Sequence, residues 1–168
     1  MMHVRSTLSL TLFISLLVCL TPSCKKDEKT EEQKAAENFT DQLMGKWVSN
    51  CVPNKDGEFF RSYLTISSAT RSVGDSYSYS DSSCRNKINR PGSTDTVESS
   101  YVVVGPSAAV LNAFEVNSIN GANKKEFYSI LAIVGEKLLF GDCDSSTCLT
   151  PATRSIRLLD DFYYTRDR

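Results

Sequence analysis

From Lys46 onward, apolar residues come in short Val, Ile, Tyr and Phe runs, and turn residues cut each run off before a helix-length pattern develops. That texture constrains the fold more than any other feature of the chain. It predicts strands near 46–52, 58–68, 73–82, 96–104, 110–118, 124–134, 137–142 and 155–165. Turns are marked by Asn54-Lys55-Asp56-Gly57, Arg90-Pro91-Gly92-Ser93, Gly105-Pro106-Ser107 and Asn120-Gly121. Gly135-Glu136, between Ala132-Ile133-Val134 and Lys137-Leu138-Leu139-Phe140, reads as a tight hairpin. About eight sequential strands with short links suit an all-β, up-and-down antiparallel barrel, because closure leaves no open edge. A β-sandwich is the rival fold.

Alternation sorts the faces of these strands. On one strand Phe60, Leu64 and Ile66 oppose Phe59, Arg61, Tyr63 and Thr65. Between Phe127 and Val134 both faces are apolar, as expected for a thick part of the wall or one covered by the N-terminal turn. Ser76-Tyr77-Ser78-Tyr79-Ser80 alternates strictly, with Tyr read as inward: a half-buried strand, or a Tyr-lined ligand wall. Candidate ligand-binding residues are Phe60, Tyr63, Tyr77, Tyr79 and Phe127. Arg61 is assigned to a buried acid such as Asp81, or to an anionic ligand head. Asp160 and Asp161 are adjacent on a strand and point to opposite faces, so they do not form a catalytic pair.

The start of the chain sets the compartment. Arg5 precedes an apolar run from Leu8 to Leu20, and Ser23-Cys24 precedes an abrupt change to Lys25-Lys26-Asp27-Glu28-Lys29. This is the form of a secretory signal peptide over residues 1–23. The run is shorter than the ~20 residues of a spanning helix. Leu20-Thr21-Pro22-Ser23-Cys24 resembles a relaxed bacterial lipobox, with Leu four residues before Cys rather than three. The resemblance implies a diacylglycerol thioether at Cys24, acyl chains such as palmitate, and attachment to a membrane. Lys25, in place of the Asp that retains enteric lipoproteins at the inner membrane, points to the outer membrane, on its periplasmic or surface face. Residues 24–38 then read as a lipidated Cys and a disordered charged tether, and 39–168 as the folded domain. Phe39, Leu43 and Trp47, four residues apart, predict a short helical turn against that domain, ended by Gly45.

Six cysteines are present. With Cys19 in the signal segment and Cys24 lipidated, Cys51, Cys84, Cys143 and Cys148 remain, an even set that reads as two disulfides in an exported chain. Three pairings are open; Cys51–Cys84 with Cys143–Cys148 is favoured, the latter around the polar turn Asp144-Ser145-Ser146-Thr147. A four-cysteine zinc site lacks the C-x₂-C spacing it uses. The acids of Asp142-Cys143-Asp144 are too few for calcium. No metal or cofactor is expected. The one histidine is His3, inside the signal segment, so Ser-His and Cys-His nucleophilic pairs are excluded from the mature chain and no catalytic residue is assigned. The whole chain has a net charge of −1, and losing Arg5 makes it slightly more acidic. That argues against a nucleic-acid partner.

Gly45-Lys46-Trp47 resembles the G-x-W opening of a lipocalin barrel. There the Trp closes one end beneath an Arg from the last strands, a part assigned here to Arg154 or Arg157. The longer pattern Trp47-Val48-Ser49-Asn50-Cys51, Arg61 and Tyr79-Ser80-Asp81-Ser82-Ser83-Cys84 resembles a group of bacterial lipocalin-like lipoproteins. Similar spacing occurs in the lipocalin-like ectodomains of a Wnt-antagonist family. Lys137-Leu138-Leu139-Phe140-Gly141-Asp142, Thr150-Pro151-Ala152-Thr153-Arg154 and Tyr163-Tyr164-Thr165-Arg166 extend the resemblance over most of 45–166. It implies a lipocalin-like fold and a Cys51–Cys84 bridge, and no activity. The expectation is a membrane-anchored lipoprotein, not an enzyme, whose barrel binds a small apolar or lipid-like ligand. The alternative is a structural or protein-interaction lipoprotein with a filled core.

Overall fold

The computed structural model describes residues 28–92, 94–143 and 147–167. The signal segment, Cys24 and the turn residues Asp144-Ser145-Ser146 lie outside them. One helix, α1 (Glu31–Leu43), precedes nine strands: β1 (Gly45–Ser49), β2 (Val52–Pro53), β3 (Phe59–Ser68), β4 (Arg71–Tyr79), β5 (Thr94–Pro106), β6 (Ala113–Asn120), β7 (Glu126–Val134), β8 (Lys137–Gly141) and β9 (Leu158–Arg166). Each strand from β3 to β9 pairs antiparallel with the next. β1 pairs with both β3 and β9, which closes an eight-strand barrel; β2 is a short extension beside β3. All eight expected strands are present, and the sandwich is excluded by the closure.

The helix is longer than the turn expected from Phe39. It reaches back to Glu31, into the segment read as tether, and Trp47 belongs to β1 rather than to the helix. Local chemistry explains the earlier start. Thr30 and Gln33 form a capping box, with Thr30 Oγ1 accepting from the Gln33 amide at 3.2 Å and Gln33 Oε1 accepting from the Thr30 amide at 2.9 Å. Glu31 and Glu32 add negative charge to the first turn, where the helix dipole favours it. Ala36, Phe39 and Leu43 form the buried stripe.

The strand registers put α1, the β3–β4, β5–β6 and β7–β8 turns, and both termini of the wall at one end. The longer loops 80–93 and 142–157 leave from the other end. At the helix end, Phe39 stacks on Phe114 with 4.2 Å between centroids, and Trp47 Nε1 donates to the Leu43 carbonyl at 2.8 Å. The arginine over Trp47 is Arg166, with its guanidinium carbon 3.9 Å from the ring; neither Arg154 nor Arg157 is there. Arg166 is the β9 residue opposite Trp47 in the register, whereas the other two lie before β9 begins. Its terminal nitrogens also donate to the Met44 and Gln42 carbonyls. No basic residue of α1 itself serves its last turn, so Arg166 supplies the cation a helix C-terminus favours. The role of Gly45 follows. Its φ is +119°, and a β-carbon there would come within 2.7 Å of the Arg166 guanidinium.

The interior core joins Trp47, Ile66, Tyr101, Val116, Leu131, Leu138 and Tyr164 to Phe39 and Leu43. A second, separate cluster of Ala113, Ile130 and Ala132 packs with Val110 and Leu158. This explains the doubly apolar strand β7. Its outer face packs with Val110 of the β5–β6 link and Leu158 of β9.

Trp47→Ala is expected to cost about 3–5 kcal/mol of unfolding free energy, and Arg166→Ala about 1 kcal/mol, in urea titrations. Because each removes the same stacking contact, the double variant should lose less than the sum.

Candidate functional site

A pocket of about 240 Å³ opens into the barrel interior. Its apolar wall comes from Leu64, Ile66, Val97, Tyr101, Leu131 and Phe140, with Leu43 of α1 reaching in; Ser72, Ser99, Ser118 and Ser129 also line it. Strand β4 makes the room. Its inward residues are Ser72, Gly74, Ser76 and Ser78, and a β-carbon on Gly74 would meet nothing closer than 3.9 Å. The rest of the interior is occupied. Phe60 packs on Phe162 at 5.6 Å, Phe162 on Tyr164 at 5.3 Å, and Tyr164 on Phe140 at 5.3 Å. Beside this row Ser62 and Ser76 share a hydroxyl contact of 2.6 Å, and burial raises the Tyr164 phenol above its ordinary pKa.

A larger cleft of about 490 Å³ opens at the helix end beside Gln42, Trp47, Gly135, Glu136 and Arg166. Arg166 is already committed there to helix carbonyls and the indole face. The smaller interior cavity, walled by apolar side chains with a few hydroxyls, is the better candidate for a small ligand.

The five residues expected to line a ligand site are not together. Phe60 faces inward but belongs to the aromatic row, not to the cavity wall. Phe127 faces inward across from Ser118, with Lys125 Nζ 5.2 Å from its ring centroid, but is not one of the cavity-lining residues. Tyr63, Tyr77 and Tyr79 point outward, opposite to the inward reading of the tyrosines. The alternation of β4 is real, but its phase is set by volume: with Tyr101, Tyr164 and the aromatic row already inside, this strand turns its serines and glycine inward and its phenols outward. The cavity residues Ser72, Gly74, Val97 and Ser99 were missed for the same reason, since small and polar residues do not read as an inner wall.

Both expected disulfides are present. Cys51–Cys84 has its Cα atoms 5.8 Å apart and Cys143–Cys148 has them 5.7 Å apart. Each holds a loop at the end opposite the helix. After Tyr79 the chain turns back so that Lys87 bridges to Tyr79 and Ile88 N donates to Ser78 O at 2.9 Å. Asp81 organises this turn and does not pair with Arg61. Its carboxylate accepts from the Ser83 hydroxyl, from Asn86 N at 2.7 Å, and from the Arg85 and Ser83 amides. Those bonds, the Ser83 hydroxyl first, hold its pKa down at about 2. The other loop is pinned by Arg154. Its guanidinium donates to Val116 O at 3.0 Å, Ser129 O at 2.9 Å and Asn117 Oδ1 at 2.8 Å, and it pairs with Glu115 at 3.2 Å. Arg157 pairs with Asp142. Both arginines thus fasten loop 142–157 instead of capping Trp47.

No family model, characterised protein or solved structure matches the chain.

Asp81 is more acidic when folded than its ordinary 3.8. Its contribution to loop order is therefore present above pH 3.8 and lost as pH falls toward 2. Protection of the Asn86 amide, taken relative to the intrinsic exchange rate at each pH, is expected to fall over that window in the wild type. In Asp81→Asn that protection should be low already at neutral pH.

Proposed function

We propose that the chain is a lipoprotein, anchored through lipid at Cys24, whose lipocalin-like barrel binds one small apolar molecule or the end of an acyl chain. The observation that supports this most is the apolar-walled interior cavity of about 240 Å³. An engineered cavity of ~150 Å³ admits benzene, whereas drug-sized pockets start near ~300 Å³. The space therefore fits one or two fused rings or a chain of several carbons, rather than a long fatty acid. The serine hydroxyls on its wall give such a ligand a polar point of orientation. The N-terminal pattern supports the anchor: a short apolar run, then Cys24, then charge.

Indole is a suitable probe. In the purified chain it is expected to shift the methyl resonances of Leu64, Ile66, Val97 and Leu131 saturably. Gly74→Val should abolish those shifts while adding about 0.5–1 kcal/mol of stability, since it removes a strand glycine and fills free space. Saturating indole that moves none of these methyls would reject the cavity reading and favour the alternative, a filled-core interaction lipoprotein. The aromatic row and the exposed side chains of Val102, Val104, Leu111 and Ile156 speak for that second reading.

The anchor has its own test. Cys24→Ala is expected to move the protein from the membrane fraction to the soluble fraction and to remove the acyl mass seen on the intact wild type. Equal partitioning of both would reject lipidation.

A further inference from the structure

The barrel's own packing does not account for Arg61. It stands on the outer face of β3, directly across from Tyr77 on β4. Among the described residues its Nε is the one buried side-chain nitrogen or oxygen without a hydrogen-bond partner. A buried donor left unmatched is destabilising, and more so on a charged group.

The carboxylates around it are committed elsewhere. Asp75 accepts from Thr96 Oγ1 at 2.6 Å, Asp81 is held by its own loop, and Glu58 pairs with Arg90 at 2.7 Å. No described acid forms an ion pair with Arg61. A second cation joins the same face: Lys87, on the loop tied down by Cys84, places Nζ 3.3 Å from the centroid of Tyr77. Tyr63 meets Tyr77 edge-on at 5.8 Å. The Tyr79 phenol is pushed up to about 12 by burial and by its hydrogen bond with Tyr63, so it stays protonated at neutral pH.

We propose that Arg61 and Lys87, framed by Tyr63, Tyr77 and Tyr79, form a binding site for a compact oxyanion on the outside of the β3–β4 wall. The anion is a carboxylate or a phosphate group of a small solute. A guanidinium is the cation best shaped for it, since it offers two parallel donors to two oxygens. The surrounding rings lower the local dielectric and strengthen the attraction. The site lies on the opposite face of the wall from the cavity and does not depend on it.

The test follows the Arg61 Nε–H resonance in the whole chain with its disulfides formed. Sodium phosphate and sodium acetate are titrated separately at constant ionic strength against sodium chloride. A saturable shift is expected with a Kd on the order of 1 mM; the anion that produces it identifies the group recognised. Lys87→Ala, on an exposed loop, should weaken binding several-fold. Arg61→Gln should abolish it, read from the Tyr77 and Tyr79 amides. If neither anion moves the Arg61 signal beyond chloride, or if Lys87→Ala leaves the affinity unchanged, the site is rejected. The Lys87 variant decides the matter even where Arg61→Gln fails to fold.

Discussion

The barrel depends on a strand of five residues that has to satisfy two neighbours at once. β1 pairs with β3 along one edge and with β9 along the other. Without it the sheet would present two open edges, each a template for pairing with other chains. Its hold is reinforced beyond the ladder. Asn50 continues the pairing with its side chain, giving Nδ2–H to the Asp161 carbonyl and taking the Tyr163 amide on Oδ1. Ser49 Oγ accepts from Ser62 N. Trp47 ties the same strand to the helix, and Arg166 ties helix, indole and last strand together. One stacking contact therefore joins the first and last strands of the wall.

The two ends of the barrel are closed by different means. At the helix end an apolar stripe lies against the core and the links are short. At the other end the loops are long, polar and poor in apolar residues, and a disulfide holds each one. A cross-link stabilises such a loop chiefly by restricting the unfolded chain, by about 2–4 kcal/mol. Both second cysteines sit in left-handed backbone, with φ of 52° at Cys84 and 59° at Cys148. Side chains rarely adopt that conformation without local support.

The strands and the Cys143–Cys148 bridge were legible because their signals are local. Period-two alternation, turn residues and a five-residue cysteine spacing need no knowledge of the rest of the chain. The Thr30–Gln33 capping box was equally local; it went unread because the lack of large apolar residues before Phe39 dominated the reading. What local pattern does not carry is direction and distance. Alternation separates Tyr77 and Tyr79 from their serine neighbours without saying which set faces inward, and the aromatic rings already inside reverse the usual assignment. The choice among Arg154, Arg157 and Arg166 likewise depends on which of them the register of β9 brings opposite Trp47.

The cavity owes its volume to a single strand that contributes almost no bulk. Closure rests on β1, and the outer loops rest on β6, β7 and the Tyr77–Tyr79 end of β4, so the inward positions 72 and 74 can change without loosening either. Pocket size in this scaffold is thus a nearly independent trait. One substitution at residue 72 or 74 would re-gauge that space while leaving the shell intact, so the interior can be reshaped without the chain first relearning how it folds.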